Sequence, residues 1–266
     1  MRGLIPAIGA LAAFATASAF AEIVVYPDDP RAGETVVVMS SIDNLGLGAG
    51  RAATSSRATL LGTEITTTLA TTANASPSRP FAFNFATGAV DTTTAGFHNI
   101  YLRSDLAGSP PILKGSFTVA TNPDGFSRPA YTGLTANWFN PQDSGWGVNL
   151  IQGGDGKQLF AIWFDYGLGF PETTTSSFGA EVGQGWRVMS SGHWITPNVF
   201  RGALYETVDG TGAGDGPPLL ARLIPVGYMT LTFFSSDEME FKAVFRGGST
   251  SFREYSRTQV LRRLVF

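Results

Sequence analysis

Residues 138–150 read Trp-Phe-Asn-Pro-Gln-Asp-Ser-Gly-Trp-Gly-Val-Asn-Leu. Trp146, Val148 and Leu150 occupy alternate positions, with Gly145, Gly147 and Asn149 between them, which is the period of a strand rather than of a helix. The turn-forming run Gln152-Gly-Gly-Asp-Gly-Lys157 follows, and then a second apolar run from Leu159 to Tyr166. Two strands joined this way make a hairpin. A symmetric hairpin closed over 152–157 sets Trp146 opposite Trp163, Val148 opposite Ala161 and Leu150 opposite Leu159. On its other face Gly145 meets Phe164, Gly147 meets Ile162 and Asn149 meets Phe160. A cross-strand tryptophan pair buries much area and adds about 0.5–1 kcal/mol beyond burial. Gly145, Trp146, Gly147 and Trp163 are therefore expected to build the fold first, the glycines letting the strand bend and a ring lie across its backbone.

The rest of the chain repeats the pattern of short β-favouring runs broken by Gly, Pro, Asn and Asp. Between Glu22 and Ala120 seven strands are expected, near 22–26, 34–40, 57–61, 63–70, 80–85, 96–103 and 112–119. Seven strands in about 100 residues indicate an immunoglobulin-like sandwich. From Tyr131 onward the runs fall near 133–139, 144–152, 157–166, 186–191, 199–207, 219–226, 228–234, 239–246 and 252–265. That succession indicates an antiparallel meander, a barrel or a sandwich, with the closed form favoured. The expected fold is all-β: an Ig-like sandwich over 22–120, a linker over 121–130 and an aromatic-rich module over 131–266. Pro123, Gly125 and Pro129 mark the linker.

The first residues, Met1-Arg2-Gly3, an apolar run from Leu4 to Phe14 and small residues ending Ala19-Phe20-Ala21, read as a cleaved signal peptide over 1–21. The apolar run falls short of the roughly 20 residues a membrane-spanning helix needs, so no transmembrane segment is expected in the mature chain. Export to a periplasm or exterior fits a chain with no cysteine, which also excludes disulfides, thiolate metal sites and a cysteine nucleophile. A net charge of −3 with 15% charged residues gives no basic field for nucleic acid.

The first half resembles bacterial Ig-like domains, through Tyr26-Pro-Asp-Asp-Pro-Arg-Ala-Gly-Glu-Thr-Val36, Ala95-Gly-Phe-His-Asn-Ile-Tyr101 and Ser116-Phe-Thr-Val119. It lacks the disulfide and core tryptophan of antibody domains. The second half resembles a module of exported Gram-negative bacterial proteins whose signature runs approximately G-x-W-[WF]-x-P-x-x-S-G-W-G-[LV]-x-L. The matching stretches are Gly133 to Leu150, Asp155 to Tyr166, Phe200 to Tyr205 and the closing Arg263 to Phe266. The Ala136-Asn137 spacing and the long Gly167 to Gly185 segment depart from that pattern. The resemblance implies a β module and no established activity.

The residues offer no recognisable catalytic set. Only His98 and His193 are present, so a His-rich metal site is excluded. Without a Gly-x-Ser-x-Gly elbow, a serine triad has no support. Asp143, Asp165, Glu172, Glu206, Asp209 and Glu240 supply carboxylates for a polysaccharide hydrolase only if two of them, Asp143 or Glu206 foremost, meet across a cleft. Asp209 to Gly216 is similar to a calcium-binding turn but lacks the ligand alternation of an EF-hand loop. Gly46-x-Gly-x-Gly50 has no helix behind it to hold a phosphate. The closing Phe266 is shared with outer-membrane barrels, yet 159–166 lacks their polar lumen alternation.

All five tryptophans lie in the second half, with Asn140, Gln142, Asp143 and Asn149 near the first two. Rings beside amides and a carboxylate suit a sugar. The expected site is therefore Trp138, Asn140, Gln142, Asp143 and Trp194, with no catalytic residue, metal or cofactor. The expected function is an exported, non-enzymatic protein that binds a glycan, peptide or cell-envelope component. A hydrolase using a carboxylate pair and a pure scaffold are the alternatives.

Overall fold

The computed structural model describes residues 23–42, 45, 47, 50–73, 85–165, 185–208, 222–247 and 253–264. The expected signal peptide, most of Gly46 to Gly50, positions 80–84 of an expected strand, Glu172, Asp209 to Gly216 and Phe266 lie outside them. So do most of the long segment after Gly167 and the side chains of Asp165 and Trp186. The protein is all-β, with an eight-stranded closed antiparallel barrel and additional sheets. No helix among the described residues is long and apolar enough to cross a membrane.

Seven strands precede the barrel: β1 (Ile23–Tyr26), β2 (Thr35–Ser41), β3 (Arg51–Leu61), β4 (Glu64–Ala73), β5 (Phe85–Asp91), β6 (Gly96–Ser104) and β7 (Ile112–Val119). They form one sheet ordered β1-β2-β5 and another ordered β3-β4-β6-β7. All pairings are antiparallel except β4 with β6, which run parallel because β5 crosses to the other sheet between them. β2 reads Thr-Val-Val-Val-Met-Ser-Ser and is buried along its whole length. A run of four apolar residues, Val36 to Met39, flanked by small hydroxyl side chains and buried throughout, belongs to a strand covered on both faces. Val36 and Val38 meet Ile65, Val90 and Ile100 inside the sandwich. Val37 and Met39 turn the other way, packing with Tyr26 and Phe85 against Ala203 and Tyr228 of the barrel.

The remaining strands are β8 (Ala136–Asn140), β9 (Asp143–Gln152), β10 (Leu159–Asp165), β11 (Gly185–Met189), β12 (His193–Thr196), β13 (Val199–Val208), β14 (Arg222–Phe233), β15 (Glu238–Gly247) and β16 (Arg253–Arg263). They follow one another as a meander that closes through β16 with β8 and β11 with β13. β11 and β12 share one place along β13, β12 pairing near its start and β11 near its end. The lumen is packed with Trp138, Leu150, Leu159, Trp163, Phe200, Phe233, Phe241 and Leu261.

Several expectations change. β12 forms where a turn was expected at His193, and β3 begins at Arg51, six residues before its expected start. Residues 219–226 and 228–234 are one strand where described, β14, and not two. Pro225 pairs with Tyr205 beside a register shift that leaves Val226 as the extra residue, a place where proline is tolerated in a strand, and its carbonyl accepts the Thr87 hydroxyl at 2.6 Å. Gly227 marks close approach and no turn, since a Cβ there would run into the carbonyl of Val244. The 138–165 hairpin is also shifted by two residues: Trp163 pairs with Val148, and Trp146 with Asp165. The turn closes one position later on each strand, with Gly153 N donating to Gln158 O at 2.9 Å and Gly156 at φ 74°. A shift of two keeps every side chain on its expected face.

Instead of facing each other, Trp146 and Trp163 both pack on Phe241 from across the lumen, with centroids at 5.5 and 5.1 Å.

Candidate functional site

The strands deliver their connections to two different ends of the barrel. One end holds the 153–158 turn, the short β12–β13 and β14–β15 connections and an apolar lumen. The other holds the tight β8–β9 turn, and there β10, β13 and β15 end and β11, β14 and β16 begin. The lumen side chains change character toward this second end. On β16 the inward residues run Leu261, Gln259, Arg257 and Tyr255, of which only Leu261 is fully buried.

Gly145 adopts φ 93°, in the left-handed region that residues with a Cβ seldom enter, between Asp143 and the indole whose N–H that carboxylate accepts. Trp146 Nε1 donates to Asp143 Oδ2 at 2.9 Å, and Arg257 Nη2 donates to the same oxygen at 2.7 Å. The Arg257 guanidinium lies 3.9 Å from the Trp146 ring centroid. These indole and guanidinium donors hold the Asp143 carboxyl below the usual carboxylate range. Beside them Asn140 Nδ2 donates to Gln259 Oε1 at 2.8 Å, and Asn140 Oδ1 accepts Gln142 N at 2.9 Å. Deeper at the same end, Arg187 is buried with its guanidinium 4.1 Å from the centroid of Phe245, which stacks on Tyr255. Glu206 is the register partner of Arg187.

Asn140, Gln142 and Asp143 thus come together at the rim. Trp138 and Trp194 do not join them. Each is 1% exposed at the apolar end, and their indole N–H groups donate to Leu134 O and Gly156 O. A ring so enclosed presents no face for a sugar, which corrects the expectation for both. The physical reason is their parity: both point into the lumen, where large rings are needed to fill an eight-stranded barrel.

The residues missed were Arg257, Gln259, Arg187 and Tyr255. Their strands alternate as expected, but polar residues at alternate positions are ordinarily assigned to the solvent face. Here the outward set of β16 contains Val260, which is exposed. Only ring closure reveals that Arg257 and Gln259 are the inward set.

Asp143 has an indole and a guanidinium for partners, not a second carboxyl group. Asp143 on β9 and Glu206 on β13 stand on walls three strand steps apart in the barrel order.

No family model matches this chain, nor does any curated protein or solved structure.

Proposed function

We propose that this is an exported, non-enzymatic binding protein that engages a hydroxyl-rich ligand of the glycan class at the polar end of its barrel. The observation that carries this reading is the cluster Asn140, Gln259, Asp143, Trp146 and Arg257. It gathers amide, carboxylate and guanidinium groups at one lumen opening, with the Asp143 side chain 42% exposed. Such groups donate to and accept from hydroxyls in the pattern a sugar presents. Recognition would rest on these hydrogen bonds, because the Trp146 face is already covered by Arg257.

The test is titration of the full chain with a glycan panel and envelope extracts, read by tryptophan fluorescence and calorimetry. Saturable binding that weakens in Arg257→Met and Asn140→Ala supports the reading. Silence across the panel, or affinity indifferent to both substitutions, overturns it; binding to peptides alone moves the ligand to that class. The scaffold reading draws on the internal pairing of Asp143, since a carboxylate bonded to two donors stabilises its own loop.

A further inference from the structure

The segment joining sandwich to barrel is bound to both. Phe126 lies between Gly33 and His193. Its ring stacks on the imidazole with centroids 3.9 Å apart and planes 15° apart, and a Cβ on Gly33 would stand 2.9 Å from it. Ser127 N then donates to Trp194 O at 2.8 Å and Ala130 N to Pro197 O at 2.6 Å. Residues 126–130 therefore run along β12 as a strap that holds it in the barrel wall.

His193 begins β12 and is the register partner of Arg201. The charged groups around it come from both units: Arg201 on β13, Glu34 just before β2, Asp91 at the end of β5, and Asp29 and Arg31 between β1 and β2. Their acids are already engaged. Glu34 accepts Arg201 Nε at 2.7 Å and Nη2 at 2.8 Å, as well as Arg31 N at 2.7 Å. Asp29 accepts Arg201 Nη1 at 2.7 Å, and Asp91 accepts the Thr35 hydroxyl at 2.6 Å. A proton on His193 would thus put a cation in a half-buried position, stacked on Phe126, where none of these carboxylates is left free to bond it.

We propose that His193 makes this strap acid-labile: its protonation releases residues 126–130 from β12 and loosens the junction, while the β15–β16 ladder stays paired. Burial holds the imidazole below its usual value, against the opposing pull of Glu34 and Asp91. A depressed value means that the neutral ring's contribution is fully present above pH 6.5 and is lost as pH falls below it.

The test uses the full chain and measures amide hydrogen-exchange protection at Ser127 and Ala130, corrected for intrinsic pH dependence, at neutral pH and near pH 5. Protection at both amides should fall on acidification, because the strap depends on the neutral ring. It should not fall in His193→Gln, nor at Thr258, whose register partner is Lys242. Equal protection at both pH values, or the same loss in His193→Gln, overturns the proposal. Should that variant not fold, the wild-type chain still decides, because only two histidines need assignment. Loss of protection that tracks the His193 ring titration supports the strap; loss at an unrelated pH overturns it.

Discussion

The two ends of the barrel are made by the same strands and filled differently. At one, Trp138, Leu159, Phe233, Met239 and Leu261 close the lumen, and the Gln152 amide beside them is spent on Leu134 N and the carbonyls of Tyr131 and Gly156. At the other, Asn140, Gln259, Asp143 and Arg257 face the opening in pairs. Phe241 stands between, held by Trp146 from the polar side and by Trp163 lower in the wall. The apolar end is where burial stabilises the barrel. The polar end exchanges that stabilisation for groups able to bond a ligand, and offsets part of the loss with the Arg257–Trp146 contact and internal hydrogen bonds.

Substitutions along the barrel sharpen the contrast. Trp138→Ala removes one of the two enclosed indoles at the apolar end and should cost about 3–5 kcal/mol in denaturant-induced unfolding. A loss below about 1 kcal/mol would mean that this end is not the stabilising one. Gly147→Ala tests whether the approach to the rim is as tightly built, since the new Cβ would stand 2.8 Å from the Trp138 carbonyl. About 1–3 kcal/mol is expected from the same measurement. Arg257→Met removes the guanidinium over Trp146 at a side chain 17% exposed, so about 0.5–1 kcal/mol is expected. A cost matching that of Trp138→Ala would break the comparison, making the rim as structural as the core.

The smallest effect on folding belongs to Asp143→Asn, whose readout is the Trp146 indole N–H resonance. It should shift in the variant. In the wild type it should stay constant at neutral pH and move only in acid below the usual carboxylate range, because a lowered carboxyl value favours the ionised, bonded form down to that point. An indole resonance that titrates near pH 5 would show that Arg257 does not hold the charge.

Much of the barrel is visible in the residues before any coordinates. The alternation of Trp146, Val148 and Leu150 with Leu159, Ala161 and Trp163 identifies the inward face of a hairpin, and all six are buried. The register is not visible, because a six-residue turn rich in glycine closes equally well two residues away and the parity is the same. The division of β14 failed for a related reason: proline and glycine mark turns in isolation, but at a bulge and a close crossing they mark continuity.

The candidate site was half legible. Asn140, Gln142 and Asp143 form one local turn, and proximity in sequence made them neighbours. Arg257 and Gln259 lie more than a hundred positions later and reach them only because β16 returns to β8. Most strands of the first half were likewise readable, but β3 already begins at Arg51, where a loop up to Ser56 was expected. β5 runs from Phe85 to Asp91 and shares only Phe85 with the expected 80–85, whose other positions lie outside the described residues. That β2 would be buried on its second face by another set of strands was not readable.

The sequence alone determined the all-β class, most of the strands, the meander and the side of the 143–165 hairpin that faces inward, since these depend on local propensity and a two-residue period. Tertiary structure decided which end of the lumen is polar, that Trp138 and Trp194 are enclosed, and that Glu34 and Arg201 join sandwich to barrel through two bonds of 2.7 and 2.8 Å. Those outcomes depend on shear, closure and contact between strands distant in the chain, quantities that a one-dimensional pattern does not carry.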